Sequence, residues 1–236
     1  MPSTTTVQLR PVGINYDIPP SEVPIEQYTY GVNVQFDNNF ANKSLGWAEI
    51  FGDPPNDPQW LLNVTTATAN FWIICCADAV LVTDTTQFYD ITPANFVASA
   101  EQNPWTGAVL NGVAVFNNGA STPWYWDGNT GAIALPLPGW PEDVTCKALR
   151  AFKFHLFAMN ITNPEGSFPN QVLWSASAEP GGIPLEWIPT PTNDAGDLQL
   201  ASTPVPIIDG AALRDQLVIY KAHSTYALSY IGGTFT

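Results

Sequence analysis

Apolar residues recur along this chain in short runs with two-residue alternation, bounded by Gly, Pro and Asn, and no segment sustains a helical period. The clearest run is Ala151 to Asn160. Alternation places Phe152, Phe154, Leu156 and Ala158 on one face and Lys153, His155, Phe157 and Met159 on the other. The segment Asn160 to Pro169 supplies turn residues, and a second strand begins at Gln171-Val-Leu-Trp-Ser175, so the stretch predicts a β-hairpin of a packed sheet. Thr145 to Phe152 is the best helical candidate; it is short and runs straight into the strand.

The same pattern returns: a strand of mostly apolar residues, a polar turn, then a strand with one or two aromatics. One copy is Phe71 to Cys76 with Ala79 to Val82 and Gln87 to Ile91; another is Gly112 to Phe116 with Trp124-Tyr-Trp126. The 149–196 stretch is the third, and Gln216 to Tyr220 with Thr225 to Ile231 is the last, delayed by a loop from Pro180 to about Ser202. Units of roughly 40 residues with several strands each are the period of a β-propeller blade. A sandwich or barrel also spaces its strands regularly; the recurrence favours an all-β, propeller-like array of antiparallel blades over residues 61–236. Residues 1–60 are irregular, with Ile18-Pro-Pro20, Val23-Pro24 and Gly52-Asp-Pro-Pro-Asn-Asp-Pro58 forcing extended or turning backbone. They read as a Pro-rich arm or platform containing one hairpin, Tyr30 to Phe36 followed by an Asp-Asn-Asn turn.

Composition fits many short strands: 12% charged residues, about half the usual share, against 22 Pro, 17 Gly and nine Trp. Twenty-one acidic and seven basic residues give a formal charge of −14, which disfavours a grip on nucleic-acid phosphates. It is compatible with DNA passing by without sticking, because like charges repel. Cys75, Cys76 and Cys146 suggest free buried thiols in a reducing compartment and no disulfide framework. The start lacks a signal-peptide pattern and the longest apolar run, Phe71 to Val82, is interrupted by Asp78, so a soluble chain made in a cytoplasm, without membrane insertion, is expected. Asn42, Asn63 and Asn160 head glycosylation sequons that read as chance polar turns.

Catalytic handles are few. His155 and His223 stand alone in a strand and a turn, and no nucleophile elbow, His-Glu-x-x-His or Cys-x-x-Cys occurs. Asp127-Gly-Asn-Thr-Gly131 matches part of a calcium loop but lacks the closing Glu and reads as a turn. No enzyme activity, cofactor or metal is therefore expected. Asp78, Asp84, Asp90, Asp127 and Glu186 are the carboxylates from which a glycosidase pair could be drawn. Trp124 and Trp126 could stack on sugar rings, although two tryptophans on one strand face more often fill a core. The loop 180–196 is apolar at Ile183, Leu185, Trp187 and Ile188, the candidate subunit contact, packing on a neighbouring copy or on its own blade.

Several segments together resemble virion structural proteins of tailed bacteriophages, of the tail tube and nozzle of short-tailed phages. They are Ile18-Pro-Pro-x-Glu-Val-Pro, Tyr30-Gly-Val-Asn-Val-Gln-Phe, Lys43-Ser-Leu-Gly-Trp, Asn111-Gly-Val-Ala-Val-Phe-Asn-Asn-Gly and Trp124-Tyr-Trp-Asp. Leu149-Arg-Ala-Phe, Asn170-Gln-Val-Leu-Trp-Ser, Pro180-Gly-Gly, Asn193-Asp-Ala-Gly, Asp215 to Ser224 and Ile231-Gly-Gly continue the series. The resemblance implies a propeller-containing subunit of the virion tail, assembled in the host cytoplasm. Copies would form a ring below the portal and adaptor, with other tail proteins as neighbours and genomic DNA passing through without specific binding. Members are usually longer, so the propeller either closes within this chain or is continued or completed by another. A glycan-binding or glycan-degrading propeller that recognises a bacterial surface is the alternative.

Overall fold

The structure, a computed structural model, describes residues 11–231 apart from 45, 47, 50, 68 and 99–103. The chain divides into two compact units, 1–50 and 51–236. In the first, β1 (Gly13–Ile14) pairs in parallel with β2 (Gln27–Tyr28), and β3 (Val34–Asp37) forms a hairpin with β4 (Phe40–Lys43) across Asn38 and Asn39. Both asparagines adopt positive φ, 49° and 64°, a conformation their short polar side chains tolerate. Leu45, Trp47 and the first ten residues lie outside the described residues.

The second unit is four antiparallel sheets in chain order. β5 (Pro58–Thr65), β6 (Asn70–Cys76), β7 (Val80–Thr83) and β8 (Phe88–Asp90) form the first, and β9 (Thr106–Leu110), β10 (Val113–Asn117), β11 (Trp124–Trp126) and β12 (Leu135–Pro136) the second. β13 (Thr145–Phe152), β14 (His155–Asn163), β15 (Gly166–Trp174) and β16 (Gly196–Gln199) form the third, and β17 (Ile207–Leu213), β18 (Gln216–Lys221) and β19 (Thr225–Ser229) the fourth. Every sheet is a meander in which sequence neighbours pair. The position expected to divide the domains, residue 60, lies inside β5, all of which belongs to the second unit.

The best helical candidate, Thr145–Phe152, is a strand, in keeping with the absence of a sustained helical period: Cys146, Ala148 and Phe152 are buried and the segment pairs along its length with β14. The sequence reading is corrected at one place. The Ala151–Asn160 run is not one strand: Lys153 takes φ 54° and Phe152 pairs with His155, so the chain reverses at Lys153-Phe154. Phe154 is consequently exposed on the turn, and no Gly, Pro or Asn announces it.

Three apolar cores lie between successive sheets. Phe71, Ile73 and Val82 meet Trp105, Phe116, Trp124 and Trp126, with Phe71 edge-on to Trp126 at 5.2 Å. Val115 and Leu110 meet Leu149, Leu156 and Ile161; Phe157, Met159 and Val172 meet Leu217, Ile219 and Leu228. Each buried aliphatic side chain removes surface worth about 1.5–3 kcal/mol, so this stacking is the main source of stability.

Polar contacts tie the third sheet, through its first strand β13, to the second and fourth. Thr106 Oγ1 accepts from Leu149 N (3.1 Å), and Asn117 Nδ2 donates to Cys146 O (2.8 Å). Arg150 on β13 reaches two sheets: Nη1 donates to Gly107 O (2.8 Å), Nε to Gly210 O (3.2 Å) and Nη2 to Asp209 Oδ2 (2.7 Å). On its other side Gly107 is packed closely against β10 and the first sheet, since a Cβ there would lie 2.3 Å from Val115 O and 2.9 Å from the Trp60 ring.

Candidate functional site

Between β15 and β16 the chain leaves the third sheet for residues 175–195, and this excursion causes the delay before the last repeat. It is fastened along its length. Ala178 N donates to Phe154 O and Ala176 N to Glu186 O, each at 2.8 Å. Asn111, at the β9–β10 turn, donates from Nδ2 to Gly182 O (2.9 Å) and Glu179 O (3.2 Å). The returning end is held by Asp194, whose carbonyl accepts from Trp174 Nε1 (2.9 Å) and whose Oδ1 accepts from Ser177 N (2.8 Å). Beneath it lies buried His155; its Nδ1 is 2.8 Å from Ser175 O, which can only accept, so Nδ1 carries the proton and Nε2 faces Asp194 Oδ2 at 3.7 Å.

At the middle of the excursion, Leu185, Glu186 and Ile188 are exposed and Trp187 alone turns inward. Trp187 is 1% exposed and packs edge-on against Trp140, ring centroids 4.6 Å apart. Trp140 is itself fixed by donation from Nε1 to Val144 O (2.8 Å). Leu185 and Ile188 are 69% and 64% exposed. Asn193 holds the bend: Nδ2 donates to Glu186 Oε2 (2.6 Å) and Ile188 O (3.0 Å), and Oδ1 accepts from Thr190 N (2.9 Å).

The four residues expected to form one contact are therefore divided. Leu185 and Ile188 are outward, whereas Ile183 is half-buried against the core between the second and third sheets. Trp187 is an anchor and not a contact, because its indole is buried against Trp140 in the core between the second and third sheets. Asn111, Trp140, Asn193 and Asp194 position the loop and were missed as site residues; an Asn at a turn bonds locally so often that sequence does not reveal a distant partner.

A cleft of about 910 Å³ lies within the excursion, bordered by Ile183, Leu185 and the carboxylates Glu179, Glu186 and Asp194. Among the described residues no group of three or more His, Cys, Asp and Glu is arranged to hold a metal ion. The other candidate carboxylates are spread over separate turns: Asp84 accepts from Thr86, Asp90 from Thr92, Asp127 from Asn129 N and Asp78 from Asn56. The Thr86 hydroxyl and backbone donors hold the Asp84 carboxyl below its ordinary range. Trp124 and Trp126 are each 1% exposed, leaving no ring face for a sugar. All three cysteines are buried and free, and burial pushes their thiols above the ordinary range.

No family model matches the chain, and no curated protein matches it. Among solved structures it is similar to YCF48 bound to D1 peptide, with TM-score 0.50 and 14% identity over 81% of this chain and 57% of that one. The fold is propeller-like. The chain spans little more than half the length of that propeller, and at this identity the likeness concerns the fold alone. In propeller terms the four meanders are blades, their first strands lie side by side, and the 175–195 excursion is an insertion before the outermost strand of the third blade.

Gly139 sets the position of this insertion. It has φ +64°, and a Cβ there would fall 2.0 Å from Leu185 O. Gly139→Ala is expected to cost about 2–3 kcal/mol through left-handed strain and displacement of Leu185. Chemical denaturation measures this; a loss below about 0.5 kcal/mol would show that the loop yields freely.

Proposed function

We infer that this chain is a structural subunit of a short-tailed bacteriophage tail. Copies assemble into a ring that forms part of the DNA-ejection conduit, in contact with portal, adaptor and other tail proteins. It works in the virion by packing, with no chemistry of its own. The observation that supports this best is the rigid presentation of Leu185 and Ile188: two large apolar side chains held outward by a loop whose backbone is bonded at both ends and anchored by Trp187. A pre-ordered apolar projection loses little entropy on association, which suits a subunit contact. The charge of −14 supports the conduit role, since it keeps a duplex from adhering.

Sedimentation of the purified chain tests the reading. The protein is expected to self-associate with rising concentration, and Leu185→Glu with Ile188→Glu to shift it to monomer with an unchanged far-ultraviolet spectrum. Burying two charges at such a contact costs enough to weaken association more than about 100-fold. A strictly monomeric wild-type chain at every concentration, absent from purified virions, would overturn it.

A further inference from the structure

The fourth blade contains a polar cluster that the packing role does not use. β18 ends at Lys221, which is 6% exposed. Its Nζ donates to Leu200 O (2.8 Å) and Thr203 O (2.6 Å) and lies 5.6 Å from the centroid of the Tyr226 ring. These partners are all neutral, and no carboxylate pairs with Lys221 among the described residues. A buried ammonium ordinarily has an anionic partner, because carbonyl dipoles replace only part of its lost hydration.

Four hydroxyls gather beside it. Tyr226 Oη bonds with Ser202 Oγ and lies 3.2 Å from Thr203 Oγ1, which is 3.0 Å from Ser224 Oγ. Ser202 is exposed and the other three are half-buried, so the cluster opens to solvent. Hydroxyl protons rotate, so each of the four groups can donate to an acceptor placed beside it. The cluster already favours negative charge on oxygen: Ser202, then Thr203 and Ser224, with Lys221 adding its charge, hold the Tyr226 phenol below the ordinary tyrosine range. What stabilises a phenolate oxygen stabilises an external oxyanion placed beside it.

We propose that Lys221 and the hydroxyls of Ser202, Thr203, Ser224 and Tyr226 bind a phosphate- or sulfate-type oxyanion. Several rotatable hydroxyls and an ammonium suit the many acceptor sites of a tetrahedral anion better than the two oxygens of a carboxylate. The surrounding chain is strongly acidic, so the site selects by local donors and not by long-range attraction.

Inorganic phosphate and sulfate are the probes, with chloride at matched ionic strength as control. The thermal midpoint of the full chain is expected to rise with the logarithm of phosphate concentration, and phosphate to suppress ionisation of Tyr226 in an ultraviolet titration. The Ser202→Ala, Ser224→Ala double variant keeps every bond of Lys221 to a carbonyl and is expected to bind about tenfold more weakly. Lys221→Met is expected to abolish binding; if it fails to fold, the double variant decides. Competition by glycerol phosphate would place the anion on a larger ligand, and its failure would mark the free ion. An equal rise in chloride, or an undiminished phosphate response in the double variant, would overturn the proposal as a general salt effect.

Discussion

Arg150→Met is expected to lower the unfolding free energy by about 2–4 kcal/mol, the scale of stranding hydrogen-bond acceptors and one carboxylate that shared a charged donor. From β13 the guanidinium bridges the first strands of the two flanking blades, reaching Gly107 O on one and Gly210 O and Asp209 on the other. The aliphatic stem of methionine retains the packing, so the loss reports the fork and not a cavity. Arg150→Lys keeps the charge but cannot reach three acceptors in separate directions, and is expected to recover less than half of the loss. The Arg150 side chain is 23% exposed and that of Asp209 39%, so water softens the ion pair and the two carbonyl contacts dominate. Urea unfolding gives the values; a change within about 0.5 kcal/mol would mean that apolar stacking alone joins the blades.

Trp187→Ala is expected to cost about 3–5 kcal/mol, the range for truncating a fully buried indole. Trp187→Phe is expected to cost only a minor part of that. Among the described residues the indole Nε1 has no hydrogen-bond partner, so phenylalanine forfeits volume and no bond. The contrast identifies the role as packing against Trp140. A second consequence concerns assembly: with the anchor gone, Leu185 and Ile188 lose their fixed outward geometry, and self-association is expected to fall although neither residue changes. Equal losses for Ala and Phe would point instead to a polar role of the indole.

The apolar second and third strands of each blade were legible because both of their faces are covered. Ile73, Val82, Val115, Phe116, Leu217 and Ile219 write near-continuous hydrophobic runs. The first strands were not. β9 and β17 contain Gly107, Asp209, Gly210 and Ala211, small or polar residues that sequence rules assign to loops. They are strands because neighbouring blades approach there too closely for large side chains, and their carbonyls serve as acceptors for Arg150. The reversal at Lys153-Phe154 was hidden for a related reason: pairing of Phe152 with His155 and the cores on either side impose a positive φ on a residue that does not prefer it.

The candidate contact was legible as an apolar, Pro-rich segment, and its division was not. Leu185, Trp187 and Ile188 are equally hydrophobic as letters. Which one points inward depends on where Trp140 stands and how Asn193 bends the backbone, distances that no local pattern encodes. The Lys221 cluster is the extreme case, since its hydroxyls come from residues 202–203 and 224–226, joined only when the chain folds back on β18.

By itself the sequence determined the all-β character, the recurrence of a strand–turn–strand unit and the three buried free thiols, because two-residue alternation, turn residues and hydrophobicity act over a few neighbouring positions. The tertiary structure alone decided which small and polar residues become first strands, that Trp187 anchors while Leu185 and Ile188 project, and that a buried ammonium meets four hydroxyls. Those outcomes depend on close approach and desolvation between segments far apart in the chain.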